Sequence, residues 1–329
     1  MLLDGRSPDA IAAAVQTLTA GELVGLPTET VYGLAADAGS DAAVARIFAA
    51  KGRPANHPLI VHVADASGVD HFAANVPDFA RRLIDAFWPG PLTLILPRRP
   101  GVGAAAAGGQ DSIGLRCPSH PVAQAVLRAC AAQGVFGLAA PSANPFGRVS
   151  PTTAAHVQAG MGDALLVIDG GACDVGIEST IVDCTRGAPV LLRPGGISRA
   201  QVEAACGQPL RDGAALGAPD PKASGTLLAH YAPAAPVRLM DAKALQTALD
   251  LLGADAAHIA AWSRAILKTP SSGVIRRRMP DDAAATAQQL FAVLREFDAQ
   301  GARLIWIETP PETPEWEAVR DRLQRAAAA

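Results

Sequence analysis

The sequence predicts an α/β protein with two domains, and three observations lead to this prediction. Apolar strand-like runs alternate with helical stretches along most of the 329 residues, a pattern typical of α/β architecture. Half of the residues are hydrophobic and 18% are charged, as in well-buried globular proteins. A segment rich in Gly, Pro, Ala and Asp interrupts the alternation at 207–236, which predicts a linker between domains at 1–206 and 237–329.

Helix caps and turn formers set the expected elements of the first domain. Ser7 and Pro8 begin its first helix, Ser40 its second and Ser198 its last. Expected helices are 9–20, 41–50, 77–87, 120–133, one from Ser150 or Thr152 to 160, and 198–206. Expected strands are 22–26, 59–63, 92–96, 112–116, 136–140, 165–168, 181–184 and 190–192.

The second domain is expected to be a small, separate α/β unit. Its apolar runs and helical stretches alternate again after the linker. Expected strands are 237–240, 257–262 and 304–308, and expected helices are 243–253, 281–300 and 315–326.

Polar residues gather around the stretch 25–63. Thr30 follows a predicted strand, Lys51 and Arg53 lie where a helix ends, and His57 and His62 flank a buried-type strand. In open α/β sheets, ligands bind at such strand ends. Two cations separated by one glycine suit a phosphate or carboxylate. They equally suit the negative end of a helix dipole, and single histidines of this kind are often core residues.

Further polar residues continue the pattern at the ends or flanks of later strands: Arg116, Ser142, Asn144, Ser150, Ser179 and Arg193. Each serine alone fits a turn or cap. Together, cations and hydroxyls predict a nucleotide or phosphometabolite site. The sequence has no P-loop, H-E-x-x-H or G-x-S-x-G motif. A G-x-G-x-x-A match at 101–106 is rejected, because prolines separate it from the strand and no amphipathic helix follows.

Charge and cysteine usage exclude several classes of protein. The net charge of -3 gives no global reason to bind nucleic acid or an anionic membrane. Five cysteines without a C-x-x-C pair argue against a disulfide framework or zinc site and favour a reducing compartment. The N-terminus has no signal-peptide pattern, and no apolar run reaches membrane-spanning length. We therefore expect a soluble, cytoplasmic protein.

Seven motifs carry a resemblance to a known family. In order, they are PTETVYGL, KGRP followed by HPLIVHV, WPGPLTLIL, GLRCPSHP, PSANPFGRVSPT, IESTIVD and LLRPGGIS. Their order and spacing over 21–198 resemble the YrdC family, and the linker and second domain fit its long members. The resemblance implies a YrdC-like, twisted open sheet with helices around a cationic cavity, then a linker and a small Rossmann-like α/β domain.

The resemblance also implies an activity. Long members of the family form threonylcarbamoyl-adenylate and pyrophosphate from L-threonine, bicarbonate and ATP, with Mg²⁺ expected between the phosphates. This is the first step of tRNA N6-threonylcarbamoyladenosine formation. Downstream partners would be the tRNA threonylcarbamoyl-transferase enzymes, and the implied role allows a tRNA contact and needs no membrane.

Individual residues match the family's binding positions. The implied threonine-binding residues are Thr30, His62, Arg116, Ala140 and Ser179. The implied ATP-binding residues are Lys51, Arg53, His57, Ser112, Ser142, Asn144, Ser150, Arg193 and Tyr231. No metal ligand is assigned.

The linker departs from the family pattern. Long members carry a motif like SPGMKYRHYAP, whereas 224–233 reads SGTLLAHYAP, without the basic residues before His230 but with Tyr231. At the position of His57, many relatives have Asn. The resemblance suggests that the linker crosses the mouth of the cavity, with Tyr231 on the nucleotide. The alternative is that Tyr231 anchors the linker to the second domain.

Two rival functions differ in class. An RNA-binding maturation factor would use the cationic cavity to hold an RNA backbone, but aromatic residues, which serve as stacking platforms, make up only 4% of the chain. A carbamoyl-transfer enzyme of the hydrogenase-maturation type would embed a YrdC-like domain. The lack of zinc-finger-like cysteine pairs argues against that second rival.

Overall fold

The computed structural model describes residues 1–212 and 223–329, and these form two compact units. The first unit comprises Met1–Phe146 and Ser150–Thr226, and the second comprises Gly147–Val149 and Leu227–Ala329. The expected linker at 207–236 is therefore shared between the units, and its residues 213–222 lie outside the described part of the chain.

One mixed sheet organises the first unit. Within the described residues its eleven strands run in the order β1-β8-β2-β3-β7-β4-β6-β5-β9-β10-β11. These strands are β1 (Leu2–Asp4), β2 (Val24–Leu26), β3 (Gly33–Asp37), β4 (Ile60–His62), β5 (Leu92–Pro97), β6 (Ser112–Arg116), β7 (Leu138–Ala139), β8 (Leu166–Asp169), β9 (Thr180–Asp183), β10 (Val190–Arg193) and β11 (Arg211–Asp212). The parallel pair β4–β6 lies between antiparallel neighbours, β7 on one side and β5 on the other.

The first unit has seven helices among its described residues, and capping residues mark both ends of α2. They are α1 (Pro8–Thr19), α2 (Asp41–Lys51), α3 (Ser67–Phe72), α4 (Asp78–Phe87), α5 (Pro121–Ala131), α6 (Ala154–Met161) and α7 (Arg199–Cys206). The Ser40 side chain accepts a hydrogen bond from the N–H of Ala43, and Gly52 ends α2 in the left-handed conformation with φ 61°. Lys51 and Arg53 thereby leave the helix at a sharp turn.

The cap expected for α6 was wrong. Neither Ser150 nor Thr152 caps this helix, because the side chain of Thr153 accepts the hydrogen bond from the N–H of His156. The Ser150 hydroxyl instead donates to Glu178.

Each helix and strand expected from the sequence overlaps an observed element of the same type, but several short elements were missed. These are β1, β3, β11 and α3 in the first unit and the strand Ile275–Arg278 in the second. The segment of β3 reads GLAAD, whose small residues give no β-branched signal. The second-unit strand reads IRRR and contains three exposed arginines, which sequence periodicity assigns to a loop.

The second unit is a small, parallel, Rossmann-like sheet with helices. Within the described chain its strands are β12 (Val237–Met240), β13 (Ile259–Ser263), β14 (Ile275–Arg278) and β15 (Leu304–Glu308), in the order β12-β15-β13-β14. The helices are α8 (Ala242–Leu252), α9 (Ala283–Ala299) and α10 (Glu317–Ala327), with 3-10 turns at Gly253–Asp255 and Pro314–Trp316. All three strand pairings are parallel, as the βα alternation of the sequence predicts.

Two further observations concern the whole described chain. No helix among residues 1–212 and 223–329 is long and apolar enough to cross a membrane. All five cysteines are buried and none forms a disulfide, and burial raises the pKa of Cys173 to about 12, so its thiol is uncharged at neutral pH.

Candidate active site

Arg116 is the centre of a buried polar cluster in the first unit. It ends β6 beside His62, which ends β4, because the two strands are parallel and in register at these residues. The guanidinium NH1 donates to Thr30 Oγ1 over 2.8 Å, and NH2 lies 2.6 Å from Glu29 Oε1. Arg116, Thr30 and Glu29 are all buried. The cluster is therefore a cation-containing pocket with a hydroxyl and a carboxylate on its wall.

His62 is uncharged in this pocket. Burial and, next, the charge of Arg116 lower the pKa of His62 to about 3, against smaller opposing effects of the Ile60 and Leu138 carbonyls. Neither ring nitrogen makes a hydrogen bond of ordinary geometry to the described residues. The imidazole can therefore donate from one nitrogen and accept at the other when a polar ligand enters.

Ser179 and Arg193 form a second polar group of the same unit. Arg193 donates from Nε and NH2 to the Ser179 carbonyl over 3.1 and 2.9 Å. The Ser179 hydroxyl lies 2.8 Å from Thr93 Oγ1. Since Arg193 ends β10 and Ser179 directly precedes β9, the antiparallel pairing of these strands brings the two residues together. This pairing holds the Arg193 guanidinium in a fixed direction.

Lys51 connects the end of α2 to the PSANP loop. Its Nζ donates to the carbonyl of Ser142 over 2.5 Å and to that of Asn144. Burial, followed by the neighbouring charge of Arg53, lowers the pKa of Lys51 to about 7. An anion beside Lys51 would favour the charged ammonium, because it would offset this desolvation.

Arg53 and Arg193 both contact Ser224, from the last described stretch of the first unit. Arg53 NH2 is 3.2 Å from Ser224 Oγ and donates to the Pro58 carbonyl over 2.9 Å. Arg193 NH1 donates to the Ser224 carbonyl over 2.8 Å. The Ser224 hydroxyl donates to Pro58 over 2.9 Å. One serine thus holds two predicted phosphate-binding cations together.

The remaining predicted residues line the same region. His57 contacts the ring of Phe146 edge-on at 5.5 Å, and Ala140 donates its N–H to the Ile60 carbonyl over 3.0 Å. Ser150 Oγ donates to Glu178 Oε1 over 2.5 Å. Ser112 begins β6 and lines a small cavity with Pro58, Ile60, Gly114, Ile181 and Ser224. Contacts through Ser224, Phe146 and the PSANP loop link Lys51, Arg53, His57 and Arg193.

The strand-end rule predicts a site at a single end of the sheet, but the predicted residues occupy both ends. Ser112 begins β6 and Arg116 ends it, so the predicted residues occupy both ends of one strand. The small cavity at Ser112 has Ile60, Gly114, Ile181 and Ser224 among its lining residues. The antiparallel strands of this sheet explain the difference, since their loops alternate between the two ends.

No protein-built metal cage is present in the described residues. Among residues 1–212 and 223–329, no group of three His, Cys, Asp or Glu side chains could hold a metal ion. Glu178 is a single buried carboxylate beside Ser150. In nucleotide sites Mg²⁺ is usually held mainly by phosphate oxygens and water.

Comparison with known proteins assigns the chain to a family. Residues 16–195 match the Sua5/YciO/YrdC family model, described as telomere recombination. Residues 197–328 match the Sua5 C-terminal model, described as threonylcarbamoyl-AMP synthase, C-terminal domain. The chain belongs to the Sua5/YciO/YrdC family. This confirms the resemblance inferred from the motifs, including its long form with a second domain.

Relatives of this family member are similar over most of their length. The threonylcarbamoyl-AMP synthase of Bacillus subtilis is 37% identical and the match covers 96% of this chain and 92% of the relative. That of Schizosaccharomyces pombe is 34% identical over 93% and 85%. A structure of Pyrococcus abyssi Sua5 complexed with L-threonine matches with a TM-score of 0.85 and 35% identity, over 96% and 94%. A P. abyssi Sua5 variant matches with a TM-score of 0.88 and 33% identity, over 99% and 96%.

Tyr231, a predicted ATP-binding residue, packs against other residues of its own unit. It belongs to the second unit, where its ring is fully buried. The ring lies 5.3 Å from that of Phe291, and the Arg322 guanidinium lies over it at 5.4 Å. The backbone of Tyr231 adopts a left-handed φ of 63°. These contacts correspond to the anchoring alternative considered from the sequence.

Sequence reasoning missed Glu29, Thr93, Glu178 and Ser224. Glu29 and Glu178 lie within quoted motifs, so their position was visible. Their partners could not be recognised from the sequence, because Arg116 is far along the chain from Glu29, and Ser150 is far from Glu178. Ser224 was visible as the first serine of the altered linker motif, but nothing in the sequence pairs it with arginines.

Proposed function

We propose that the chain is an L-threonylcarbamoyladenylate synthase. It would join L-threonine, bicarbonate and ATP to give threonylcarbamoyl-AMP and pyrophosphate. The observation that carries this proposal is the 37% identity to a threonylcarbamoyl-AMP synthase over 96% of the chain. The buried guanidinium of Arg116 supports it, because an amino-acid carboxylate requires such a cation.

The pocket residues suggest how the substrates would be held. Arg116 would bind the threonine carboxylate, and Thr30, His62 and Ser179 would bind its hydroxyl and amine. Ala140 would border the same pocket. A set of cations and hydroxyls would bind ATP: Lys51, Arg53, His57, Ser112, Ser142, Asn144, Ser150 and Arg193. Catalysis would then come from positioning and charge stabilisation, without a covalent protein nucleophile.

The chemistry proceeds in two steps under this proposal. The threonine amine adds to the carbon of bicarbonate, losing water, and becomes a carbamate. A carbamate oxygen then attacks the α-phosphorus of ATP, and pyrophosphate leaves. Lys51 and the two arginines would stabilise charge on the phosphates. Mg²⁺, bound by phosphate oxygens and water, would supply further charge neutralisation. Downstream, a tRNA threonylcarbamoyl-transferase would consume the product.

One assay tests the proposed function. Pyrophosphate release from ATP should require both L-threonine and bicarbonate, and threonylcarbamoyl-AMP should be detected by mass spectrometry. Pyrophosphate release without either co-substrate would contradict the proposal. Binding of RNA that weakens steeply with salt, without consumption of ATP, would instead favour an RNA-binding factor.

Substrate selectivity is expected to follow the polar lining of the pocket. Threonine should be preferred over serine by about 10–200-fold in kcat/KM, because one methyl group contributes about 1–3 kcal/mol in an apolar contact. Valine should be rejected by a larger factor, roughly 10⁴, because the buried groups that bind the hydroxyl would be left unpaired. Equal use of valine and threonine would contradict the roles given to Thr30 and Ser179.

We propose further that the linker segment around Ser224 is a lid over the nucleotide. Its hydrogen bonds to Arg53, Pro58 and Arg193 support this role, because lids close over reactive intermediates and exclude water. ATP plus threonine should therefore slow limited proteolysis within 225–229 at least several-fold.

A matched variant separates lid closure from anchoring. Replacing Tyr231 with Ala removes a buried ring and should lower the stability of the second unit by about 3–5 kcal/mol. It should leave the ligand-dependent protection in place under mild conditions. A cleavage rate that ATP and threonine do not change would show that the segment is a passive tether.

A further inference from the structure

The pair formed by Glu29 and Arg116 contains polar atoms whose hydrogen-bonding capacity is unused. Both side chains are about 5% exposed. Glu29 Oε1 and Arg116 NH2 lie 2.6 Å apart, yet their alignment does not make an ordinary hydrogen bond. Among the described residues, neither Glu29 oxygen nor Arg116 NH2 has another hydrogen-bond partner. Buried polar atoms are nearly always hydrogen-bonded, so such a concentration of unsatisfied atoms indicates a place built for a polar ligand.

The other edges of the Arg116 guanidinium are occupied. NH1 donates to Thr30 Oγ1 over 2.8 Å, and Nε donates to the Gly90 carbonyl over 3.3 Å. NH2 is the edge that remains for a substrate carboxylate. In the free protein this edge faces the Glu29 carboxylate. Two carboxylates facing one buried guanidinium would carry excess negative charge, which is unfavourable in a dry pocket.

A zwitterionic amino acid resolves this conflict. The carboxylate of the amino acid can bind the NH2 edge of Arg116. Its ammonium can then bind the Glu29 carboxylate that the arginine releases. The pocket then stays neutral, with two ion pairs in place of one. His62 cannot replace the ammonium, because the imidazole is uncharged when its pKa is about 3.

We propose that Glu29 is a specificity-determining residue that exchanges ion-pair partners with the substrate. In the free protein it neutralises Arg116, and in the complex it binds the ammonium group of threonine. Ligands that have the carboxylate but not the ammonium are rejected, because they leave Glu29 unpaired next to a second negative charge. This inference rests on the proposed function, since it takes threonine as the ligand of the Arg116 pocket.

Binding measurements with two ligands test the exchange. Isothermal titration calorimetry compares L-threonine with its 2-hydroxy analogue, 2,3-dihydroxybutanoate, in the full chain and in Glu29→Gln. Threonine should bind the variant at least about tenfold more weakly, because a charge-assisted contact is lost. The analogue should bind the variant at least about tenfold more tightly, because its carboxylate no longer competes with Glu29.

The opposite directions of the two changes distinguish specificity from simple support of Arg116. If Glu29 only positions the guanidinium, both ligands bind Glu29→Gln more weakly, and the proposal is wrong. Glu178→Gln is the matched control, because it removes a buried carboxylate that is bound to Ser150 rather than to Arg116. An equal gain of analogue binding in Glu178→Gln would also overturn the proposal.

Two further outcomes remain interpretable. If the unaltered chain does not bind threonine at all, the proposed function fails and not merely the exchange. If Glu29→Gln does not fold, Glu29→Asp replaces it, since aspartate keeps the charge but retracts it by one methylene. That variant should bind threonine more weakly yet still reject the analogue, and equal affinity for the two ligands would overturn the exchange.

Discussion

Replacing Arg116 with Met should lower threonine-dependent pyrophosphate release by about a thousandfold. The variant loses the cation that would hold the substrate carboxylate. It also leaves Glu29 buried without its counter-ion, and breaking a buried ion pair in this way costs about 3–5 kcal/mol. Initial rates at several threonine concentrations, together with thermal unfolding, would measure both effects. A variant that keeps threonine-dependent turnover would contradict the assignment of Arg116.

A matched control separates loss of stability from loss of function. Arg186 lies 2.6 Å from Asp183 in another largely buried ion pair of the first unit. Replacing Arg186 with Met should lower the free energy of unfolding but leave kcat/KM for threonine within a few-fold. The double variant of Glu29→Gln with Arg116→Met should recover stability, because no unpaired charge remains. It should not recover activity, since the carboxylate-binding cation is still missing.

Local signals predicted much of the first unit. Ser40 and Gly52 are residues whose cap chemistry can be read without knowledge of the fold, and both were placed correctly at the ends of α2. The strand of Ser112 to Arg116 was also predicted with its observed bounds. Such features depend on contacts within a few residues, and these are the contacts that sequence periodicity records.

Long-range pairing was not predictable from those signals. The order of the strands places β5 beside both β6 and β9, and this depends on contacts between distant parts of the chain. The same limitation hid the contact of Glu29 with Arg116. The motif that contains Glu29 was recognised, but only the folded sheet brings it to the end of β6. The family resemblance supplied residue roles, although it could not supply the pairing that links them.

Tyr231 shows a different limitation. The sequence marks it as unusual, with an aromatic ring before a proline in a segment of small residues. An aromatic in a linker can bind a ligand or fill a core, and its sequence context is the same in both cases. Its packing against Phe291 and Arg322 depends on α9 and α10, which follow it in the chain.

The second large effect concerns Lys51. Replacing Lys51 with Ala should reduce adenylate formation at least tenfold, because one charge-assisted phosphate contact contributes about 1.5–3 kcal/mol. Arg53→Ala should have a similar effect. Arg46→Ala is the matched control, since this exposed cation on the same helix pairs with Glu22. Unchanged turnover in both Lys51→Ala and Arg53→Ala would support the alternative that these cations only complement the dipole of α2.

Lys51 should also make ATP binding depend on pH. Burial and Arg53 lower its pKa to about 7 in the free protein, whereas bound phosphates would raise that pKa again. Above pH 7 the complex therefore holds more protons than the free protein, and ATP affinity should fall by up to about tenfold per pH unit. Titrations at pH 7, 8 and 9 in buffers of different ionisation enthalpy would measure both the affinity and the proton uptake. In Lys51→Arg, whose guanidinium stays charged, the uptake and the decline should disappear; a decline that persists in that variant would assign the titration to another group.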